Sequence, residues 1–350
     1  MLKKRIQKLL SLFPGDAVLI TSPKNRYYFS GFTGTEASLV LTNDAYYIFT
    51  DSRYHIQAKN EAKGFTLIDT AKTSAADFIR EEGYRLVGFE EDTVSVEKFR
   101  TLSQKVPDAE WEGVSPLISG IRKIKDETEV AAITRAAEIA DRAFSELLPQ
   151  IVPGKTEQEL ALTLEFTMRK MGASGLSFDT IFASGVRSAM PHGVASDKKI
   201  EYGDFVTVDF GCVFHGYCSD MTRTVVVGKA NEKQKEIYDI VLSAQTAALA
   251  AIRPGAVCKD IDAIARGIIT DAGYGANFGH GLGHSLGLDI HELPSFSPRC
   301  EETLAAGMLM TDEPGIYIEG FGGVRIEDLV LVTEDGCQIL SHTTKELIEL

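Results

Sequence analysis

The chain has 350 residues, 44% apolar and 25% charged, the balance of ordinary folded domains, and its length allows roughly two of them at ~150 residues each. Thirty-six basic against fifty acidic residues leave a net charge of −14, which argues against a nucleic-acid partner, since such proteins present a basic face. No stretch approaches the ~18 apolar residues of a membrane span, so no membrane partner is expected either.

The chain opens on MLKKRIQKLLSLFPGD, whose apolar run is too short for a signal sequence. Leu2, Ile6, Leu9 and Phe13 share one helical face and predict a short amphipathic helix. Five runs rich in β-branched and aromatic residues then read as strands: 16–21, 37–42, 45–50, 65–69 and 85–90. SRYHIQAKNEA and SAADFIREEG between them read as helices. Residues 1–122 are therefore expected to form an α/β domain, and 123–350 a second one.

From residue 126 the pattern becomes helical. Asp126 with Glu129, Thr156 with Glu159, and Asn231 with Gln234 each make a capping-box signature at a helix start. A fourth helix is expected from near Asp260 to Gly273. Pro153-Gly154 matches Pro254-Gly255, and Gly172 matches Gly273, all at an offset of 101 residues. A fixed offset of this kind marks an internal duplication, here of a helix pair plus sheet, and a site between the halves would draw similar ligands from each.

The 204–228 stretch, DFVTVDFGCVFHGYCSDMTRTVVVG, alternates through two runs and reads as a β-hairpin. Asp209 and Thr207 share one face of its first run; Asp220, Thr222 and Thr224 share a face of the second. Aspartate is depleted in strands, so the pair needs a reason. Either the two are exposed edge residues or they serve a site. Later, Glu313 follows an apolar strand, and Glu327 is expected within a strand whose one face carries Arg325 and Glu327. Four such carboxylates together repel one another unless cations intervene.

GHGLGHSLGLDIHE, 279–292, adds His280, His284 and His291 on a glycine-rich frame. Oxygen donors with one imidazole suit two divalent ions of the Mn, Co, Zn or Fe kind. The spacing is not the HExxH of a helical zinc site. The five cysteines contain no CxxC and read as reduced, buried thiols of a cytoplasmic protein. His55, His215 and His342 read as structural or surface residues.

Five separated pieces, VDFG, YCSDMTRT, GHGLGHSLGLDIHE, TDEPGIY and VRIEDL, together resemble the proline-specific branch of the pita-bread metallopeptidases (M24B-type), which comprises aminopeptidase P and the Xaa-Pro dipeptidases or prolidases. NRYYFSGFTGTEA (25–37) and TDSRYHIQA (50–58) are similar to the creatinase-type N-terminal domain of that family. The resemblance implies an α/β creatinase-like domain over 1–122 and an α+β pita-bread catalytic domain, a duplicated αα-β unit, over 123–350. It implies Asp209, Asp220, His284, Glu313 and Glu327 as ligands of two metal ions, manganese first among them, with Asp220 and Glu327 bridging. It implies His192, His280 and His291 as active-site histidines, Glu313 as general base, and Arg325 and Tyr317 as supports behind the ligands. The implied reaction is cleavage between an N-terminal residue and a following proline by a metal-bridging hydroxide, in a cytoplasmic homodimer. The motifs are common to enzymes that trim longer peptides and those confined to dipeptides; TDSRY and SGFTGTEA lean toward the aminopeptidase P-like group, the first expectation, while a length near 350 is common among short prolidases, the alternative. Creatinase itself lacks the ligand set, methionine aminopeptidase usually lacks the first domain, and non-catalytic pita-bread scaffolds typically lose ligands that are all present here.

Overall fold

The computed structural model describes residues 1–350, which divide into two compact units, Met1–Arg122 and Lys123–Leu350.

The first unit begins with helix α1 (Leu2–Leu12), whose buried face carries Ile6, Leu9 and Leu10. It then alternates β1 (Ala17–Ile20), α2 (Pro23–Ser30), β2 (Ser38–Leu41), β3 (Tyr46–Thr50), α3 (His55–Glu61), β4 (Thr66–Asp69), α4 (Ala75–Glu81), β5 (Leu86–Phe89), α5 (Val96–Lys105) and β6 (Glu110–Gly113), and α6 (Ser115–Lys123) closes it. The sheet order is β4-β3-β2-β1-β5-β6, with β2 antiparallel to both its neighbours and the other pairs parallel. Strand β6, Glu-Trp-Glu-Gly, escapes the sequence pattern because its partly exposed edge carries charges where an inner strand would be apolar. The GFTGTEA loop is held by Arg26, buried, which donates to the carbonyls of Gly34, Thr35 and Ala37. Tyr54 of the second N-terminal motif meets Thr35 Oγ1 at 2.7 Å.

Asp16 ties β5 to β1: its Oδ2 accepts from the backbone N–H of Arg85 (2.7 Å) and Leu86 (3.0 Å), which holds its pKa below the usual value. A carboxyl with a depressed native pKa stabilises above its unfolded pKa and loses that contribution as pH falls through the native one. Asp16→Asn is therefore expected to melt below wild type at pH 7, with the two melting temperatures converging as the pH drops below about 4. A gap that persists unchanged at pH 2 would contradict this.

The second unit is built twice over. Its elements are α7 (Glu127–Leu147), α8 (Glu157–Lys170), β7 (Gly175–Leu176), β8 (Ile181–Ser184), β9 (Phe205–Phe210), β10 (Cys212–Phe214), β11 (Tyr217–Cys218), β12 (Met221–Val226), α9 (Glu232–Ala251), α10 (Cys258–Asp271), β13 (Gly283–Ser285), β14 (Glu292–Phe296), β15 (Leu309–Asp312), β16 (Gly315–Ile318), β17 (Gly322–Arg325), β18 (Asp328–Val332), β19 (Cys337–Ile339) and β20 (Ile348–Glu349). All three capping boxes read from the sequence are formed. Helices α8 and α10 have the same length, 14 residues, and begin and end 101 residues apart. The isolated bridges Thr156–Lys199 and Val257–Thr303 repeat the same crossing. Sheets β20-β12-β9-β8 and β14-β13-β15-β18-β19 share the order in which β8, β9 and β12 correspond to β13, β15 and β18.

Each half packs its helix pair on one face of its sheet. Ala136, Phe144, Leu160 and Leu164 cover Val206, Val208 and Phe210; Ile237, Val241, Ile261 and Ala265 cover Met310, Val330 and Val332. The opposite, polar face of β9 and β12 meets β17 and the residues that follow it. Thr207 Oγ1 donates to Gly323 O, Thr224 Oγ1 to Arg325 O, and the Glu327 N–H to Thr222 O. The segment after the second half returns to the first: β20 pairs in parallel with the free edge of β12, and Asp141 accepts from the N–H of His342 and Thr343.

Two expectations need correction. The 204–228 hairpin is not continuous: β9 pairs with β12, but its tip, β10 and β11, turns into a separate small sheet with β7. The break falls at Gly211, where a Cβ would lie 1.9 Å from Ser219 O. And Glu327 is not within a strand; it sits in the gap between β17 and β18, immediately before Asp328, just as Asp220 immediately precedes β12. The strand is interrupted there because the Glu327 N–H crosses to Thr222 of the other half instead of staying in its own ladder.

Candidate metal centre

Register places the first carboxylates. Asp209 pairs with Thr222 across β9 and β12, so Asp209, Thr222 and Thr207 stand on one face, away from the helix-covered core. Both strands are interior to the sheet, and Asp209 and Asp220 are buried, which removes the exposed-edge reading. Carboxylate oxygens of Asp209, Asp220 and Glu327 all lie within 4.8 Å of one another.

The second half completes the cluster. His284 Nε2 lies 3.3 Å from Glu313 Oε1 and 3.7 Å from Asp220 Oδ2. Its Nδ1 is 3.1 Å from Ser285 O, a contact that only an Nδ1–H can make as a hydrogen bond, which leaves the Nε2 lone pair facing the carboxylates. Glycine gives this strand its approach: a Cβ on Gly283 would stand 2.1 Å from Thr311 O, so only glycine lets β13 lie this close to β15. The close approach is thus strand to strand, and it brings the His284 N–H within 2.9 Å of Thr311 Oγ1, which in turn donates to Glu313 Oε1 at 2.9 Å.

Arg325 organises the other side. It is buried and donates Nη2 to Asp209 Oδ2 (2.5 Å), Nη1 to Tyr317 OH (2.7 Å) and Nε to Thr222 Oγ1 (3.0 Å). Thr222 Oγ1 in turn donates a hydrogen bond to Glu327 Oε2 (2.7 Å). Tyr317, its own pKa pushed up to about 12 by burial, contacts His280 Nε2 at 2.9 Å, and His280 Nδ1 lies 2.8 Å from Gly281 O. With Tyr317 accepting from Arg325, its hydroxyl hydrogen points to His280, so His280 is neutral with both ring nitrogens engaged. His192 and His291 have a different setting: both are exposed at the cavity lining, and the His291 ring packs edge-on to His284 at 4.4 Å.

The acidic groups of the cluster disfavour one another's charge. Asp220 and Glu327 are pushed well above ordinary carboxyl values, first by burial and then by their acidic neighbours, and burial likewise raises Glu313. Burial lowers all of His280, His284 and His291, which favours neutral imidazoles. Asp209 Oδ1 and Glu327 Oε1 are buried without a hydrogen-bond partner. Buried polar atoms are rarely left so. Unpartnered oxygens, mutually repelling carboxylates and an aimed imidazole lone pair are the donor set that divalent cations satisfy.

The side chains of Asp209, Asp220, His284, Glu313 and Glu327 line a cavity of about 600 Å³, together with His192, His280, His291 and Arg325. All the proposed ligands and histidines are thus brought together; Tyr317 stands behind them. His215 and His342 are not on this lining. Three contributors went unseen in the sequence. Thr222 and Thr311 act as hydroxyl clamps, and the shared face of Asp220 and Thr222 was the available signal for the first. Arg299 lines the cavity too, with no acid to pair it, and nothing in its spacing points there.

A duplicated αα-β unit with acidic side chains of both halves gathered in a peptide-sized cavity defines a hydrolase-type centre for divalent cations. The chain belongs to metallopeptidase family M24, whose pattern matches residues 131–334, and residues 3–124 match the creatinase/prolidase N-terminal domain. It is 42% identical to the Xaa-Pro dipeptidase of Pyrococcus furiosus, over 99% of this chain and all of that one. Among solved structures it is similar to an Xaa-Pro dipeptidase from Bacillus anthracis (43% identity, TM-score 0.96, all of both chains). It is also similar to an X-Pro aminopeptidase from Thermotoga maritima (40%, TM-score 0.94, 98% of this chain and 99% of that one). No helix is long and apolar enough to cross a membrane.

Proposed function

We propose that the chain hydrolyses the bond between an N-terminal residue and a following proline. The observation that carries this is the five-donor cluster lining a single cavity, in a chain similar over its full length to Xaa-Pro peptidases. Asp209, Asp220, His284, Glu313 and Glu327 would hold two divalent ions, manganese in the first instance and cobalt, zinc or iron as alternatives, since most donors are oxygens. Such ions supply Lewis acidity and a water nucleophile available near neutral pH.

The chain's own residues do the rest. Glu313, fixed by Thr311, takes up the nucleophile's proton and returns it to the proline nitrogen. His291, neutral and at the open side, donates to the oxyanion, and His192 meets the substrate at the mouth. His280, with both nitrogens engaged, holds Tyr317 and through it Arg325 in line with Asp209. Phe178 and Ile290 give the cavity an apolar wall suited to a proline ring.

Arg299 favours dipeptides as substrates. A guanidinium without an acid partner on the lining matches the free carboxylate of a carboxyl-terminal proline, which a longer peptide lacks at that position. Arg299→Leu is expected to raise the dipeptide KM by ten- to a hundredfold, the loss of one charged hydrogen bond, with kcat little changed. Trimming longer peptides is the competing reading, supported by similarity to the X-Pro aminopeptidase.

The test compares manganese-loaded protein on Ala-Pro, Ala-Pro-Ala and Ala-Ala. Cleavage of Ala-Pro alone supports a dipeptidase; cleavage of Ala-Pro-Ala after its first residue supports an aminopeptidase. No cleavage of either by fully loaded protein removes the peptidase reading and leaves a binding scaffold. The reading includes a homodimer, on the resemblance alone, checked by light scattering. It also includes a cytoplasmic setting, which subcellular fractionation would check.

A further inference from the structure

The first unit has a cavity of its own, about 370 Å³, at the carboxyl ends of β1 and β3. The sheet order turns back at β1: β2, β3 and β4 lie to one side of it, β5 and β6 to the other. Open α/β sheets gather ligands in the crevice at such a reversal. The core on this face, Leu19, Phe49 and Leu102 among it, runs out into the cavity and leaves it an apolar floor.

Its charges are sorted by side. Glu36 and Asp51 stand together at the adjoining ends of β2 and β3, where Thr50 Oγ1 donates to Glu36 O at 2.5 Å. Lys98 and Lys105 come from α5, which follows β5 on the other side of β1 and sends Leu102 into the shared core. Asp51 is paired with Arg53 at 2.8 Å, and Lys105 approaches Asp77 only to 4.0 Å. The carboxylate of Glu36, which acts on Arg26 and Arg53 only at longer range, and the ammonium of Lys98 make no direct hydrogen bond or ion pair, although both border the cavity. An acid flank and a basic flank separated by at least one strand spacing of ~4.8 Å, over an apolar floor, are complementary to a small molecule with a positive and a negative end.

We infer that this crevice is a second ligand site, for a small zwitterion of amino-acid to dipeptide size, with its ammonium toward Glu36 and its carboxylate toward Lys98. The assignment is independent of the peptidase reading. It needs no bond to form or break.

The test is calorimetric titration of the full-length, metal-loaded protein with L-leucine and with glycyl-leucine, beside N-acetyl-leucine and leucinamide, which lack one charge each. Saturable binding near ~1 mM is expected for at least one of the two zwitterions and not for the capped forms. Glu36→Gln and Lys98→Met should each weaken it about tenfold. Asp220→Asn, which alters the other cavity, should leave it unchanged. Preference between leucine and glycyl-leucine identifies which source of zwitterion fits. No binding up to about 50 mM, equal binding of the capped forms, or binding insensitive to both Glu36→Gln and Lys98→Met would each overturn the inference. Loss of binding in Asp220→Asn alone would place the ligand in the peptidase cavity instead, and would overturn it as well.

Discussion

Asp220→Asn should lower kcat/KM for an Xaa-Pro substrate by at least ~10³-fold, equivalent to about 4 kcal/mol of lost transition-state stabilisation. Asp220 stands between the halves, within 4.8 Å of the Asp209 and Glu327 oxygens and 3.7 Å from His284 Nε2, so its loss affects every neighbour that would share an ion. The same substitution should have the opposite effect on stability once metal is stripped. In the metal-free protein Asp220 and Glu327 titrate well above their unfolded values because they are buried beside other acids. A carboxyl whose native pKa is raised binds more protons folded than unfolded, so stability falls as pH rises from the unfolded pKa toward the native one. Metal-free wild type should thus lose stability above about pH 4, and metal-free Asp220→Asn should lose less. Melting curves from pH 4 to 8, with and without manganese, read both effects. If the variant is less stable than wild type throughout that range without metal, the carboxylates are not in conflict and the case for a cation pair weakens.

Arg325→Met is expected to be the most damaging change away from the proposed ligands themselves. The guanidinium is buried and holds Asp209, Tyr317 and Thr222 at once. Removing it strands Asp209 as a buried acid whose other oxygen already lacks a partner. Breaking one side of a buried pair costs about 3–5 kcal/mol. Because Asp209 and, through Thr222, Glu327 both lose orientation, metal affinity should fall by about 10–100-fold in addition. Arg325→Lys should rescue stability in part but not affinity, since a compact ammonium does not span the three acceptors that separate nitrogens of the planar guanidinium reach. Unfolding by denaturant and manganese titration separate the two effects. An Arg325→Met protein that binds manganese as tightly as wild type would show that Arg325 supports the fold without arranging the site.

Much of this architecture is legible in the sequence, for identifiable reasons. Capping boxes at Asp126, Thr156 and Asn231 are local chemistry and are formed as read. The 101-residue offset survives because glycines with positive φ, Gly172 and Gly273, end both short helices, and few other residues tolerate that conformation. Alternation sets Asp209 beside Thr207 and Asp220 beside Thr222, and Asp209 does pair with Thr222, although Asp220 itself stands just before β12. What stays hidden is contact between the halves. The gap at Glu327 exists because its backbone bonds to Thr222, 105 residues away, and no local pattern announces such a bond. The tie from His280 through Tyr317 to Arg325 is equally remote, so histidines alike in sequence differ in setting. Arg299 reads as one more surface cation until the fold curls it onto the cavity wall.

The return of β20 to the edge of β12 bears on how the chain is made. A nascent polypeptide emerges in order, and Met1–Arg122 has every strand of its own sheet within itself, so it can settle while synthesis continues. The first half of the second unit cannot. Its β12 edge stays open, and Arg223, which also donates to Asp328 and to the carbonyls of Thr222 and Glu327, lacks its acceptors on Thr343 and Thr344 until those residues have been made. Through all that time an apolar strand edge is exposed to other chains. The cluster at Asp209 and Asp220 is likewise completed late, because Glu313, Arg325 and Glu327 all come from the second half.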